Sequence, residues 1–486
     1  MTYPATPSFS KCKPLVRGHG FVVAACLLPL VAGCSFSGHF KNFEFPSFAE
    51  SEFSVQPQPD APEAPKAASK WWQEFNTPEL NELVELALEN NQDLGAAEAA
   101  VRAAQADLDS ASASLFPAFT LNASRNERTV KGNALSPVAL STSGYTTSAQ
   151  LSAEYEIDLW SRVRSSNKAA QANLQASELD FQASQLAIAG QVSTAWVQWV
   201  ATNQTINLFQ QELSDYETNL KLVEFRFKQG SAPASDVLQQ RQLVESTRGS
   251  LASAQSNAKL IANSLNTLTA RPFYKMQTQS DDLPELPPFP DTGVPSEALQ
   301  RRPDVQSAMQ QIQAADQQVA AAIANRFPQL TLTASFGDQT RDSSTLFDNF
   351  TRNFALNMIA PLFDGGARAA QVDSRKAQLE QAFARYRQTT LAAIEEIENA
   401  LVQEANQKDV VTSLAQQVEL AEQSLARLFA GYRNGSVSYL NILNAQQSAS
   451  SLKRSLVNAK QQLLVFRISL YRALSGGLNP PLEANS

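Results

Sequence analysis

The sequence has very little of what most familiar catalysis needs. Only two histidines occur in 486 residues, His19 and His39, and the three cysteines, Cys12, Cys26 and Cys34, all lie close to the amino terminus. Beyond Cys34 there is no thiol for a disulfide framework or a cysteine nucleophile. Clustered His/Cys zinc sites are excluded for the same reason, and a Ser-His-Asp arrangement would have to recruit His39 from the amino-terminal stretch. Positive charge is also short, with 39 Lys+Arg against 47 Asp+Glu and a formal net charge of -8. An acidic chain is a poor general nucleic-acid binder. The composition therefore argues against most familiar catalysis, against clustered His/Cys metal sites and against a nucleic-acid partner.

Long apolar runs are missing too. The one notable run, Phe21 to Val31, is too short to cross a bilayer as a helix and follows the basic residues Lys11, Lys13 and Arg17. That is the layout of a signal peptide. Its end, Leu30-Val31-Ala32-Gly33-Cys34, resembles the bacterial lipobox, in which the cysteine is acylated after cleavage. Ser35, in place of Asp, resembles the signal for sorting to the outer membrane, and two or three acyl chains on Cys34 would anchor the chain stably. We read 1–33 as a lipoprotein signal peptide and 34–70 as a lipidated tether, in which Pro46, Pro57, Pro59, Pro62 and Pro65 preclude a helix.

What the rest contains is a duplicated pattern. Ala87-Leu88, Asp93 and Phe116-Pro117 recur at one constant offset as Ala298-Leu299, Asp304 and Phe327-Pro328. Gly230-Ser231 and Ser264-Leu265 recur at a slightly smaller offset as Gly435-Ser436 and Ser469-Leu470. This gives a repeat over 71–271, a proline-rich connection over 272–295, a second repeat over 296–476 and a tail over 477–486. Each repeat is expected to run helix, strand, loop, strand, long helix, turn, helix.

Two periods compete within each repeat. Ala149, Leu151, Ala153, Tyr155 and Ile157 alternate with Gln150, Ser152, Glu154, Glu156 and Asp158. Phe119, Leu121 and Ala123 alternate with polar neighbours, as do Leu330, Leu332, Ala334 and Phe336, and Phe354, Leu356 and Met358. Four strands of roughly 9 to 11 residues, apolar on one face and polar on the other, suit the wall of an outer-membrane barrel or a half-buried soluble sheet, and the lipoprotein signal favours the barrel. Four strands cannot close a membrane barrel. A dimer would supply eight, a trimer twelve and a tetramer sixteen.

The other period is the heptad. Ile206, Phe209, Leu213, Tyr216, Leu220, Val223 and Phe227 form one coiled-coil seam, and Leu414, Val418, Ala421, Leu425, Leu428 and Tyr432 form its counterpart. Apolar steps resume after each Gly-Ser pair, so each repeat should hold an antiparallel helical hairpin. No proline interrupts 162–229 or 364–434, and a helix of about 65 residues would be roughly 100 Å long. Such helices would form either a tunnel wall or a solid bundle.

Several motifs together resemble one family. They are Trp71-Trp72 with Leu80 and Leu83, Asn90-Asn91 with Asp93-Leu94, and Leu159-Trp160 with Arg162-Val163-Arg164. Arg301-Arg302-Pro303-Asp304-Val305 and Pro361-Leu362-Phe363-Asp364-Gly365-Gly366 complete the set. The chain resembles the TolC-like outer-membrane efflux proteins, in the lipoprotein branch that serves resistance-nodulation-division drug pumps. The resemblance implies an α+β fold and a homotrimer whose chains each give four strands to a twelve-stranded barrel and long helices to a periplasmic α-barrel. It also implies a passive exit duct, not an enzyme and without a cofactor, that spans the outer membrane in contact with its lipid and works with a periplasmic membrane-fusion adaptor and an inner-membrane pump.

By the same resemblance, the hairpin tips at Phe227, Gly230, Ser231, Gly435 and Ser436 face the adaptor. Tyr432, Asn441, Asn444 and Asp236 form the periplasmic gate. Acids commonly stand in the family at the positions of Asn441 and Asn444, so a gate held by packing and amide hydrogen bonds is expected here, with weaker block by divalent cations. Competing readings are a duct for protein secretion, a coiled-coil lipoprotein that braces the envelope, and a carboxylate-based hydrolase using Glu154, Glu156 and Asp158. The last is disfavoured because these acids alternate along one strand face, as on a wet wall. Glu395, Glu396 and Glu398 read as a charged helix face.

Overall fold

The computed structural model describes residues 70–130, 142–272, 274–275, 282–290 and 295–476. The lipidation candidate Cys34, the leader, the tether up to residue 69 and the tail 477–486 lie outside the described residues, as do parts of the connection 272–295. The elements in chain order are α1 (Pro78–Asn90), α2 (Gln92–Ala113), β1 (Ala118–Val130), β2 (Thr142–Ile157), α3 (Arg162–Lys228) and α4 (Ala234–Leu268). Then come α5 (Pro295–Arg301), α6 (Pro303–Ala324), β3 (Gln329–Thr340), β4 (Thr351–Ile359), α7 (Ala367–Arg433) and α8 (Tyr439–Leu474). The chain divides into a sheet unit, covering 117–162 and 320–365, and a helical unit made of the other described residues.

Where a single first helix was expected in each half, the structure has two. Asn91 sits in extended backbone and ends α1; its Oδ1 then accepts from the N–H groups of Asp93 and Leu94, at 2.9 and 3.3 Å, and so caps α2. Its Nδ2 donates to the Leu268 carbonyl at the end of α4. In the second half the break falls at Arg302, and Pro303, which has no N–H to lose, opens α6.

In the sheet unit the strands are antiparallel in the order β1-β2-β3-β4. The register aligns Phe119, Ala153, Ala334 and Phe354 across all four strands, and Leu121, Leu151 and Phe336 one step further along. One face is therefore continuously apolar. Gly337 is required where β3 crosses β2, because a Cβ there would stand 2.5 Å from the Ala149 carbonyl oxygen. At one end of the sheet, Trp160 stacks on Phe327 and donates through Nε1 to the Pro328 carbonyl at 2.8 Å, which ties the end of β2 to the start of β3.

In the helical unit, α3 and α7 each run 67 residues without a break. The core gathers Trp71, Trp72 and Phe75 of a short 3-10 turn, Leu80, Leu83 and Val84 of α1, Val192, Trp196 and Val200 of α3, Leu265 of α4 and Ile468 and Tyr471 of α8. Trp71 lies parallel to Tyr471 with ring centres 6.0 Å apart. Of the expected heptad seams, Tyr216 and Val223 of α3 are buried, whereas Leu414, Val418, Leu425 and Leu428 of α7 stay half-exposed within the single chain.

One buried ion pair fastens the proline-rich connection to this core. Arg467 of α8 donates from Nε and Nη2 to the Glu404 carboxylate of α7, at 2.8 and 2.6 Å, with both side chains essentially inaccessible. Its remaining nitrogen donates to the carbonyl oxygens of Pro287 and Pro288, and the Tyr471 hydroxyl donates to the same Pro288 oxygen at 2.9 Å. Lys408 adds a second cation 2.9 Å from Glu404. Burial opposes the Glu404 charge, yet the hydrogen bonds and charge of Arg467, helped by Lys408, hold its pKa below the ordinary glutamate value. A second network joins Arg302 to Asp304, to Glu396 and to the Ala473 carbonyl, while Arg472 also pairs with Glu396. Glu396 is thus a structural partner rather than part of a solvated face, a role its neighbours in sequence do not reveal.

Two outcomes follow. Arg467→Ala leaves Glu404 buried with only Lys408, and should destabilise the protein by about 3–5 kcal/mol in denaturant unfolding of the detergent-solubilised chain, because half of a buried pair is costlier than none. Because the folded pKa of Glu404 is depressed, its contribution is complete above the unfolded value of about 4.3 and is lost as pH falls through the folded value. The stability deficit of Glu404→Gln should therefore shrink as melting is measured at successively lower pH below about 4.

Candidate channel wall and hairpin tips

The sheet unit presents two chemically different faces. Phe119, Leu121, Phe354 and Met358 are each about 70% exposed on the apolar side. The other side carries Thr120, Asn122, Ser124, Ser148, Gln150, Ser152, Glu154, Thr333 and Ser335. There Ser124 and Ser148 bond at 3.0 Å, and Asn357 donates to Thr333. Glu156 is neutralised by Arg162 at 2.9 and 2.5 Å, so the run of strand acids contains an ordinary ion pair. Each fully exposed Leu or Phe forgoes about 1.5–3 kcal/mol of burial, so a face of this size needs an apolar environment.

The limit of the apolar face runs obliquely across the strands. Its first charged residue is Arg125 on β1, opposite Thr147 of β2; Asp338 on β3, opposite Ala149; and Arg352 on β4, opposite Phe336 and hence level with Leu151. The limit shifts four residues along β2 over three strand spacings, about 14 Å in each direction.

The hairpin tips are built from paired glycines. Gly230 and Gly435 have φ of 71° and 72°, and each ends its long helix in the same way. Ser231 N–H returns to the Arg226 carbonyl and Gly230 N–H to that of Phe227; Ser436 returns to Gly431 and Gly435 to Tyr432. This is the Schellman closure, which places Gly in the left-handed region. Phe227 and Ser231 are exposed at the first tip and Ser436 at the second.

Beside the tips, Tyr432 is half-buried against Tyr439, Val223, Val237 and Leu443, with the Arg226 guanidinium 4.4 Å above its ring. Asn441 and Asn444 lie exposed on one face of α8, and among the described residues neither side chain has a hydrogen-bond partner in its own chain. Asp236 is half-buried, touched only loosely by Ser235 at 3.4 Å. The structure thus brings Tyr432 into the packed end of the hairpins and leaves the two asparagines open.

The contacts that lock these helices together were not singled out from the sequence. The Tyr439 hydroxyl donates to Gln240 at 2.7 Å, and Gln240 donates to the Tyr216 carbonyl at 2.7 Å. Tyr216 reaches Ser450, Asn219 reaches Gln446, and Arg454 pairs with Glu212. Burial pushes the Tyr439 hydroxyl well above the usual tyrosine value, and burial also raises the Glu212 carboxyl despite the nearby Arg454. Polar heptad positions facing across α3, α4 and α8 were the available signal, but, Gln240 and Tyr216 apart, the partners lie more than 190 residues from each other and cannot be matched without the fold.

A lipid-compatible sheet wall joined in sequence to paired long helical hairpins defines a TolC-like outer-membrane channel protein. The family model described as outer membrane efflux protein matches residues 83–271 and 294–476, and the chain belongs to that family. It is 33% identical over 427 residues to the pyoverdine export outer membrane protein OpmQ of Pseudomonas putida, covering 86% of this chain and 91% of that protein. It is 31% identical over 471 residues to the toluene efflux pump outer membrane protein TtgC of P. putida, covering 92% and 93%. Among solved structures, the CmeC outer membrane channel of Campylobacter jejuni superposes with a TM-score of 0.83 at 25% identity, covering 91% of this chain and 95% of that one. The chain is accordingly an outer-membrane efflux protein.

Opposite faces of β2 should tolerate charge differently. Leu151→Arg should cost about 2–4 kcal/mol and deplete folded protein from outer-membrane fractions, whereas Gln150→Arg, on the polar face, should assemble close to normally.

Proposed function

We propose that this chain is the passive exit duct of a tripartite efflux system. Three copies contribute four strands each to a twelve-stranded barrel, and their long helices continue as a periplasmic tunnel. The repeats at 71–271 and 296–476 supply equivalent wall segments, joined through 272–295, and acyl chains on Cys34 add a second anchorage. A periplasmic adaptor meets the hairpin tips at Phe227, Gly230, Ser231, Gly435 and Ser436, and an inner-membrane pump supplies the energy. The duct uses no cofactor and catalyses no reaction.

The observation that carries this reading is the open four-stranded sheet whose apolar face is exposed along its whole width. The relatives named for pyoverdine export and toluene efflux support small molecules, rather than proteins, as cargo.

At the periplasmic entrance, three-fold symmetry turns Tyr432, Asn441, Asn444 and Asp236 into rings. The Asn441 and Asn444 rings lack the field of carboxylate rings, which leaves Asp236 as the one acid of the set, and divalent cations should bind weakly. Single-channel recordings of the reconstituted protein should show weak block by millimolar Mg2+, and Asn441→Asp with Asn444→Asp should strengthen it about tenfold or more. Strong wild-type block that neither substitution changes would remove these residues from the gate. A pump-dependent rise in drug susceptibility on deleting the gene, restored by the wild-type chain, tests the duct itself.

A further inference from the structure

The loop between β3 and β4 folds back onto the apolar face of the sheet. Asp338 stands on that face, yet it is only 5% exposed, because its Oδ2 accepts from Phe347 N–H at 2.7 Å and Asn349 N–H at 3.3 Å. The latch holds Phe347 at a φ of 85°, a strained value for a residue with a Cβ. It delivers Phe350 onto Phe336, with ring centres 4.7 Å apart and planes within 10°, and Phe347 beside Phe350 at 6.3 Å. The Arg352 guanidinium lies 5.8 Å from the centre of the same Phe336 ring. Three strands from Arg352, on β1, Arg125 lies 4.9 Å over the Tyr145 ring on the same face.

Both arginines are exposed, and no acid of the described residues forms an ion pair with either. Each is held by an aromatic ring that orients its plane and leaves its N–H donors unspent. Arg125 and Arg352 are the first charged residues of the apolar face on β1 and β4, four residues apart in register, and on the barrel reading, in which strands are tilted, both stand above the lipid-facing band. Glu127 lies one step further from the band than Arg125. The arrangement is a pair of cations at headgroup height with apolar and aromatic surface beneath, which is complementary to a lipid that carries phosphate on an acylated body.

We propose that this rim is a binding surface for phosphorylated lipid of the outer leaflet, with Arg125 and Arg352 contacting the phosphates and Phe336, Phe347 and Phe350 packing on the acylated body. The inference rests on the barrel reading above, which sets the apolar face against lipid. It also gives the β3–β4 loop a role on the outside of the wall, where Asp338 holds it.

Native mass spectrometry of the full detergent-solubilised protein, titrated with bisphosphorylated lipid A and with the same lipid stripped of phosphate, tests this. The wild type should retain the phosphorylated form about tenfold more tightly, as expected for charge-assisted guanidinium–phosphate bonds. Arg125→Gln combined with Arg352→Gln should abolish the preference, while Arg241→Gln, on a helical hairpin, should leave it intact. Asp338→Ala should weaken retention by freeing the loop. Equal retention of the two lipids by the wild type, or a preference that survives the double substitution, would overturn the proposal. Conductance measured on the same samples separates the two readings, because a duct that conducts without lipid preference loses only this site.

Discussion

The free edges of β1 and β4 set the terms for everything else in this protein. In hydrocarbon there is no water to satisfy an unpaired backbone group, and each one left open costs several kcal/mol. A four-stranded sheet with a lipid-facing side has two such edges, nine residues long on β4 and thirteen on β1. Pairing them within the chain would need a cylinder too narrow for its own side chains. On the reading proposed above, pairing them with copies of the same sheet closes the wall.

The helical unit answers a different demand. Helices about 100 Å long cannot all be held by one compact core. The aromatic cluster around Trp71 and Tyr471 anchors one region, and the Arg467–Glu404 pair extends that anchorage to Pro287 and Pro288 of the connection. Towards the tips, a smaller apolar cluster of Val223, Val237, Tyr439 and Leu443 is joined by polar contacts from Gln240, Tyr439 and Arg454. Each such hydrogen bond contributes only about 0.5–1.5 kcal/mol net.

Much of this was legible in the sequence for identifiable reasons. The strands announced themselves by strict alternation at Ala149 to Ile157 and Leu330 to Phe336. The long helices were legible because proline is absent from 162–229, and the tips because only glycine fits the left-handed closures at Gly230 and Gly435. The split of α1 from α2 was not, since it depends on the side chain of Asn91 reaching a carbonyl at Leu268. Glu396 passed for a surface acid because its partners, Arg302 and Arg472, lie far away in the chain. For the same reason Arg467 did not stand out, since Glu404 and Pro287 lie far away in the chain. Residues that act within one strand or turn are readable; residues that act across elements need the fold.

The most direct test of the central claim is the mass of the lipidated, detergent-extracted particle measured by native mass spectrometry. The account predicts three mature chains plus their acyl groups, with no stable monomer. A monodisperse monomer that keeps its strand content would leave both sheet edges unpaired and would contradict it.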